Sequence, residues 1–458
     1  MRTLIIIKIY LIAFFSSGIM SCKEFLSIDP PSNELTSATI FNDSTSAAQA
    51  LTGLYIYAMS ENGLSFGSGA LTANLGLAAD ELTLAAVDAN LEEYLTNGVT
   101  VLNASNYALW TRAYEYIYRA NSCIEGITAS KGINSAAKDA LVGEARLLRA
   151  FYLFNLVNLF ENIPLTISTD YSVNRSLNNS TADDVFLQIE DDLKYAKSAL
   201  KNIPVRNDRG NYDAATALLA KVYLYNKRYD LAFVEADEVI RSTRYHLETP
   251  MNTFVADSRE TIWKLLPVIP ERQTHEGFHF VPGTAQTMPK FVVRSQLYDS
   301  FAADDLRKEQ WIGTVTIEGQ QYRYPSKYRN RLSGTVIKEH STVLRIAEQY
   351  LIRAEASAGL NNLETACADL NLVRAKADLL EIEEDDKNVV VQEIIEERRR
   401  ELFCEWGNRW FDLKRLNLSE SVLGDLKPEW SNTALIFPIP LNELNANPNL
   451  KQNPGYME

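Results

Sequence analysis

Five residues in this chain spell a metal-protease motif. His275-Glu276-Gly277-Phe278-His279 fits H-E-x-x-H, in which two imidazoles one helical turn apart bind zinc and the glutamate acts as general base. That chemistry needs a helix to preset both rings. Here Gly277 sits inside the motif, Pro270 and Pro282 flank it, and no apolar periodicity runs through it. No clear third ligand follows. The segment therefore reads as an exposed loop, or as a loop that touches a ligand, with zinc hydrolysis as the outlying alternative.

A second set of residues suits binding without turnover. A sugar is held by a flat aromatic ring stacked on its face and by Asn, Asp or Arg on its hydroxyls, and a tyrosine can stack while its hydroxyl stays wet. The chain has 22 Tyr, 18 Phe and 6 Trp, most of them expected in the core. Two irregular stretches offer less scaffold to bury them: 61–106, rich in Gly, Asn, Leu and Ala, and 248–339, with six prolines and short β-like runs at 278–281 and 311–317. Within them the candidate ligand residues are Phe66, Asn74, Asp80, Tyr94, Phe278, Trp311, Tyr322, Arg323 and Tyr324, with Arg329 as a further hydroxyl partner. Loops carried by a rigid scaffold are where function usually sits. No glycine-rich phosphate loop occurs. The 59 acidic residues are too many for sequence alone to place a glycosidase pair across a bond.

The elements that must hold these loops read as helices. Apolar positions at Leu141, Ala145, Leu148, Tyr152, Leu156 and Leu159 make one helical stripe that stops before Pro164. Thr181 and Asp184 form a capping box before the stripe Val185, Ile189, Leu193, Ala196 and Leu200. Residues 214–226 and 231–242 make a helix pair of tetratricopeptide character, with small residues that allow close approach. Residues 344–358 and 366–377 make a second pair, and 112–127 with 138–160 a looser third. The fold class is all-α: tetratricopeptide-like pairs forming a scaffold, with two loop-rich insertions. The charge run 396–401 reads as a solvated helix face, and Trp110, Trp406, Trp410 and Phe411 as core.

Composition bounds the partners. The net charge is −14, or −16 once Arg2 and Lys8 leave with residues 1–21. That excludes nucleic acid, whose binding rests on Lys and Arg neutralising phosphates. Cys123, Cys367 and Cys404 make neither a disulfide framework nor a zinc site, and Cys123 and Cys367 are expected in the core. Residues 1–21 read as a secretory signal: Arg2 and Lys8, then an apolar run too short to span a bilayer. It ends Gly18-Ile19-Met20-Ser21-Cys22, a lipobox arrangement that makes Cys22 the acylated first mature residue. Acyl chains anchor by burying methylenes, and Lys23 onward reads as a short tether.

The last seventy residues carry a resemblance. Ile394-Ile395-Glu396-Glu397-Arg398-Arg399-Arg400-Glu401-Leu402, Glu405-Trp406-Gly407-Asn408-Arg409-Trp410-Phe411-Asp412-Leu413-Lys414-Arg415 and the close Leu435-Ile436-Phe437-Pro438-Ile439-Pro440…Asn453-Pro454-Gly455-Tyr456 resemble the C-terminal signature of the SusD/RagB family, surface nutrient-binding lipoproteins of Bacteroidetes. Tyr114-Glu115-Tyr116-Ile117-Tyr118-Arg119, Gly143-Glu144-Ala145-Arg146 and Arg345-Ile346-Ala347-Glu348 are similar to its earlier signatures. The resemblance implies a signal peptide (1–21), an N-terminal region with tetratricopeptide-like helices (22–245) and a C-terminal region (246–458) holding the insertion 248–339. It implies no catalysis, no cofactor and no metal. It also implies an outward-facing, lipid-anchored outer-membrane protein. Such a protein binds an oligosaccharide, or in some members a peptide, and passes it to a SusC-like TonB-dependent transporter. A tetratricopeptide scaffold for protein partners is the competing class.

Overall fold

The computed structural model describes residues 40–61, 63–334 and 336–456. Cys22 and the signal segment lie outside them. Helices dominate. After α1 (Ser44–Met59) come a wide turn at Phe66–Ala70, α2 (Leu71–Ala78), β1 (Leu82–Leu84) and α3 (Ala89–Leu95). The long pair α4 (Ala104–Ala129) and α5 (Ser135–Phe160) follows, then α6 (Ala182–Leu200), α7 (Tyr212–Tyr225) and α8 (Tyr229–Arg241). The second half holds β2 (Thr261–Leu265), α9 (His275–Phe280), β3 (Phe291–Val293), α10 (Ser295–Ser300), α11 (Leu306–Gln310), β4 (Ile312–Ile317), β5 (Gln320–Pro325) and β6 (Ser341–Arg345). It continues with α12 (Ile346–Gly359), α13 (Leu363–Ala375), α14 (Lys387–Leu402) and α15 (Asn408–Arg415).

Side chains fix where the scaffold helices start. Asn103, Asn134, Thr181 and Asn211 each accept a hydrogen bond from the backbone N–H three residues on, at 2.9 to 3.2 Å. From α4 to α8 each helix packs on the next; α8 then packs on α12, α12 on α13, and α13 on α14. This is a tetratricopeptide-like array, and α7 lies inside it, buried from Asp213 to Tyr225.

One continuous core runs from Phe41 to Ile439. Tyr116 of α4 stacks on Tyr152 of α5 at 4.4 Å, and Phe151 meets Trp263 at 5.2 Å and Trp406 at 5.5 Å. Trp110, Trp406, Trp410, Phe411 and Cys123 are core residues as expected, whereas Cys367 is only partly buried.

Several expectations need correction. Residues 344–358 do not start as helix, because Ser341–Arg345 is a buried strand paired with β2. The stretch 61–106 is not an open insertion. Its segment Leu71-Thr72-Ala73-Asn74-Leu75-Gly76-Leu77-Ala78 is small or apolar all round, and such a helix belongs in the interior, where every residue of α2 lies. The run 396–401 is not a solvated face. Glu397 and Glu401 are buried because cations on distant elements meet them, and Arg398 because Asp412 pairs with it at 2.8 Å. Arg307 reaches Glu397 at 2.5 Å and Glu401 at 2.8 Å, Arg345 reaches Glu401 at 2.5 Å, and Lys376 reaches it at 2.6 Å.

β1 pairs antiparallel with β3, Leu82 opposite Val293. That pairing brings the two stretches singled out in the sequence to one place.

Candidate functional site

The hairpin β4–β5 is built for a tight reversal. Glu318 and Gly319 both have positive φ, 51° and 84°, the left-handed pair that a two-residue hairpin turn requires. Facing residues pair from Ile312–Pro325 to Ile317–Gln320. Gly313 stands opposite Tyr324, and a Cβ on it would come within 2.6 Å of two ring atoms and the hydroxyl oxygen of Tyr324. The glycine lets that ring lie flat across β4.

Successive strand residues face opposite sides, so Arg323 points away from Tyr322 and Tyr324. Its guanidinium sits 3.8 Å from the ring centre of Tyr298 on α10. The ammonium of Lys308 on α11 lies 4.5 Å from the same ring and donates to the Phe301 carbonyl at 3.0 Å. Tyr298, Asp304, Lys308, Glu309 and Thr314 line a cleft of about 640 Å³ there, within the usual range for small-ligand sites. Two cations held on one aromatic ring, with two exposed carboxylates and a hydroxyl at the cleft edge, can bond the hydroxyls of a sugar.

The cleft floor is fixed from below. Asp305 caps α11 by accepting from the Arg307 N–H at 2.9 Å, and its carboxylate also holds the Arg307 guanidinium at 2.8 Å. Arg307 then enters the buried cluster with Glu397 and Glu401. Arg345 bridges Glu401, Glu405 and Glu260 within 3.2 Å, and Lys376 joins Glu260 to Glu401. The charges on these acids are held by several cations each, the arrangement that compensates their desolvation. Despite burial, Glu401 stays well below the usual carboxylate range, with Lys376 and then Arg345 the strongest opposing charges.

None of the nine residues named from sequence lines this cleft; Arg323 reaches it through the Tyr298 ring, with Tyr322 and Tyr324 on the other face of the same strand. Five are packed inside. Phe66 lies 5.1 Å from Tyr152, Tyr94 meets Phe437 edge-on, and Asn74 donates to the Ser105 hydroxyl at 2.7 Å. Asp80 is held by Arg409 and Arg399, both at 2.7 Å. The Trp311 indole donates to the Pro250 carbonyl at 2.8 Å, with Lys327 over its ring. Phe278 is half-buried and already carries the guanidiniums of Arg272 at 3.6 Å and Arg331 at 4.4 Å. Arg329 is exposed and lies by the Met251 sulfur. Tyr298, Lys308 and Asp304 were missed; nothing in one sequence sets Tyr298 apart from the other tyrosines.

The histidine motif is helical after all. The Thr274 hydroxyl accepts from the Gly277 N–H at 3.0 Å and starts α9, which corrects both the loop and the β-like reading of this segment. Both imidazoles fall on one face, their rings near parallel at 6.5 Å. His275 bonds the Met59 carbonyl at 3.2 Å and Glu276 accepts from the Ser341 hydroxyl. Burial pushes His275 down to about 4 and His279 to about 3. No group of three or more His, Cys, Asp and Glu side chains converges among the described residues.

Two family models match the chain. The one described as SusD family covers residues 302–456, and the one described as starch-binding, associating with outer membrane, covers residues 24–224. A SusD-like protein of Formosa agariphila is 28% identical over 421 residues, spanning 76% of this chain and 80% of its own. Among solved structures, a SusD superfamily protein of Bacteroides vulgatus superposes with a TM-score of 0.82 at 22% identity, over 91% of this chain and 100% of that one. A laminarin-binding SusD-like protein gives 0.75 at 22% identity, over the same shares.

Proposed function

As this chain belongs to the SusD/RagB family, whose members include glycan-binding proteins associated with the outer membrane, we propose that it is a cell-surface glycan receptor. It is anchored through lipid on Cys22, faces outward, and passes a captured oligosaccharide to a SusC-like TonB-dependent transporter. It binds without turnover. The observation that carries this reading is the cleft at Tyr298, where Arg323 and Lys308 flank one ring and Asp304, Glu309 and Thr314 offer hydroxyl partners. The starch-binding family description and the laminarin-binding neighbour favour a neutral glucan over a peptide or a charged glycan.

Affinity electrophoresis of the protein from Lys23 on, through gels containing starch, laminarin and other neutral polysaccharides, tests it. Retardation by at least one glycan is expected. Tyr298→Ala should weaken it about tenfold or more, equivalent to ~1.4 kcal/mol. Free migration in every gel, with retention of peptides instead, overturns the glycan reading. Unchanged retardation of Tyr298→Ala overturns the site.

A further inference from the structure

A second cleft lies on the helical scaffold, away from the elements that form the first. Tyr57 of α1, Tyr114, Glu115, Tyr118 and Arg119 of α4, and Glu443 enclose about 600 Å³. Tyr107, Thr111, Tyr114 and Tyr118 recur at steps of four, three and four, which puts them on one face of α4. Tyr114 is tied inward, its hydroxyl donating to the Pro164 carbonyl at 2.9 Å. Tyr118 is 53% exposed and Tyr107 37%, so two flat apolar faces meet solvent on a helix whose opposite side is core.

The polar edge of this cleft is already ordered. Arg119 lies 4.1 Å from the ring centre of Tyr57. Arg112 donates to the Tyr57 hydroxyl at 2.7 Å and to Glu115 at 2.6 Å, and it pairs with Glu61 at 3.0 Å. The Tyr57 hydroxyl in turn donates to Glu115. A carboxylate and a guanidinium are therefore held in place beside exposed rings before any ligand arrives, which lowers the ordering cost of binding. The first cleft has the same composition: an arginine stacked on a tyrosine, with exposed carboxylates at the rim.

We propose that the cleft formed by Tyr57, Glu115, Tyr118 and Arg119 is a second binding site for a neutral glycan, with Tyr118 as its stacking platform. This rests on the reading of the chain as a glycan binder. Two sites on one protein favour a long chain over its own short fragments, because the second contact is made at high effective concentration.

Calorimetry with laminarihexaose and maltohexaose, and with the parent laminarin and starch, tests the proposal. The wild type is expected to bind two equivalents of the hexasaccharide it recognises. Tyr118→Ala and Arg119→Ala should each leave one equivalent and raise the half-saturating polymer concentration about tenfold. Both residues are exposed, and unchanged thermal unfolding confirms that these variants fold. Tyr298→Ala should also leave one equivalent, the other one. A single equivalent in the wild type, abolished by Tyr298→Ala, overturns the second site and leaves the function standing. Two equivalents that survive in Tyr118→Ala and Arg119→Ala also overturn it. No heat with any of the four glycans overturns both.

Discussion

Burying a carboxylate beside another one makes its charge costly. Glu81 is enclosed next to Asp80, and burial first and that neighbour second push it up to about 8. The folded chain keeps it protonated at pH 7, while the unfolded chain ionises it above about 4.5. Its contribution is full below that value and is lost as pH rises through about 8. Glu81→Gln keeps an acceptor for the Cys404 N–H, which Glu81 bonds at 3.1 Å. The variant should gain roughly 2–3 kcal/mol of stability at pH 7, read as a higher urea midpoint. The opposite limb belongs to His275 and His279. Both are neutral in the fold, with values pushed down to about 4 and about 3, so the unfolded chain binds protons first as pH falls below about 6.5. Stability should decline from there to about pH 3, and the double variant His275→Gln, His279→Gln should flatten that slope in urea titrations across pH.

At the scale of elements, the hairpin and α14 make separate demands. Gly313→Val would drive a side chain into the Tyr324 ring across the strands, costing ~1–3 kcal/mol in unfolding measurements and weakening glycan binding. Glu401→Gln removes the charge shared by Arg307, Arg345 and Lys376. It should cost about 3–5 kcal/mol, since a buried cation is left short of its partner. These two cases mark what the sequence could convey. Helices α5 to α8 are legible because apolar spacing and capping residues are local signals: the Thr181 hydroxyl accepts from the Asp184 N–H, although the Asp184 carboxylate takes the Thr181 hydroxyl rather than the backbone N–H that a full capping box uses. The fate of 396–401 is not, because its cations come from residues 307, 345 and 376. Trp311 and Tyr94 looked like exposed platforms for the same reason. Their burial is set by Pro250, Phe437 and other distant partners. Within the irregular 248–339 segment Arg323 stacks on Tyr298, a pairing that forms only when α10 meets β5.

At the scale of the molecule, both proposed clefts lie outside the continuous core, where the proposed receptor role requires them. An outward-facing, lipid-anchored protein should be digested by protease added to intact cells. Cys22→Ser should move it from the membrane to the soluble fraction, judged by immunoblotting. Resistance to protease until the cells are broken would place it inside the outer membrane, and with it the competing role of a scaffold for protein partners.

The most direct test of the central claim is hydrogen exchange with and without the glycan that retards the protein. The account predicts slowed exchange at residues 298–309 and across β4–β5, with the recovered glycan unchanged in chain length. Protection confined to other segments, or a shortened glycan, would contradict it.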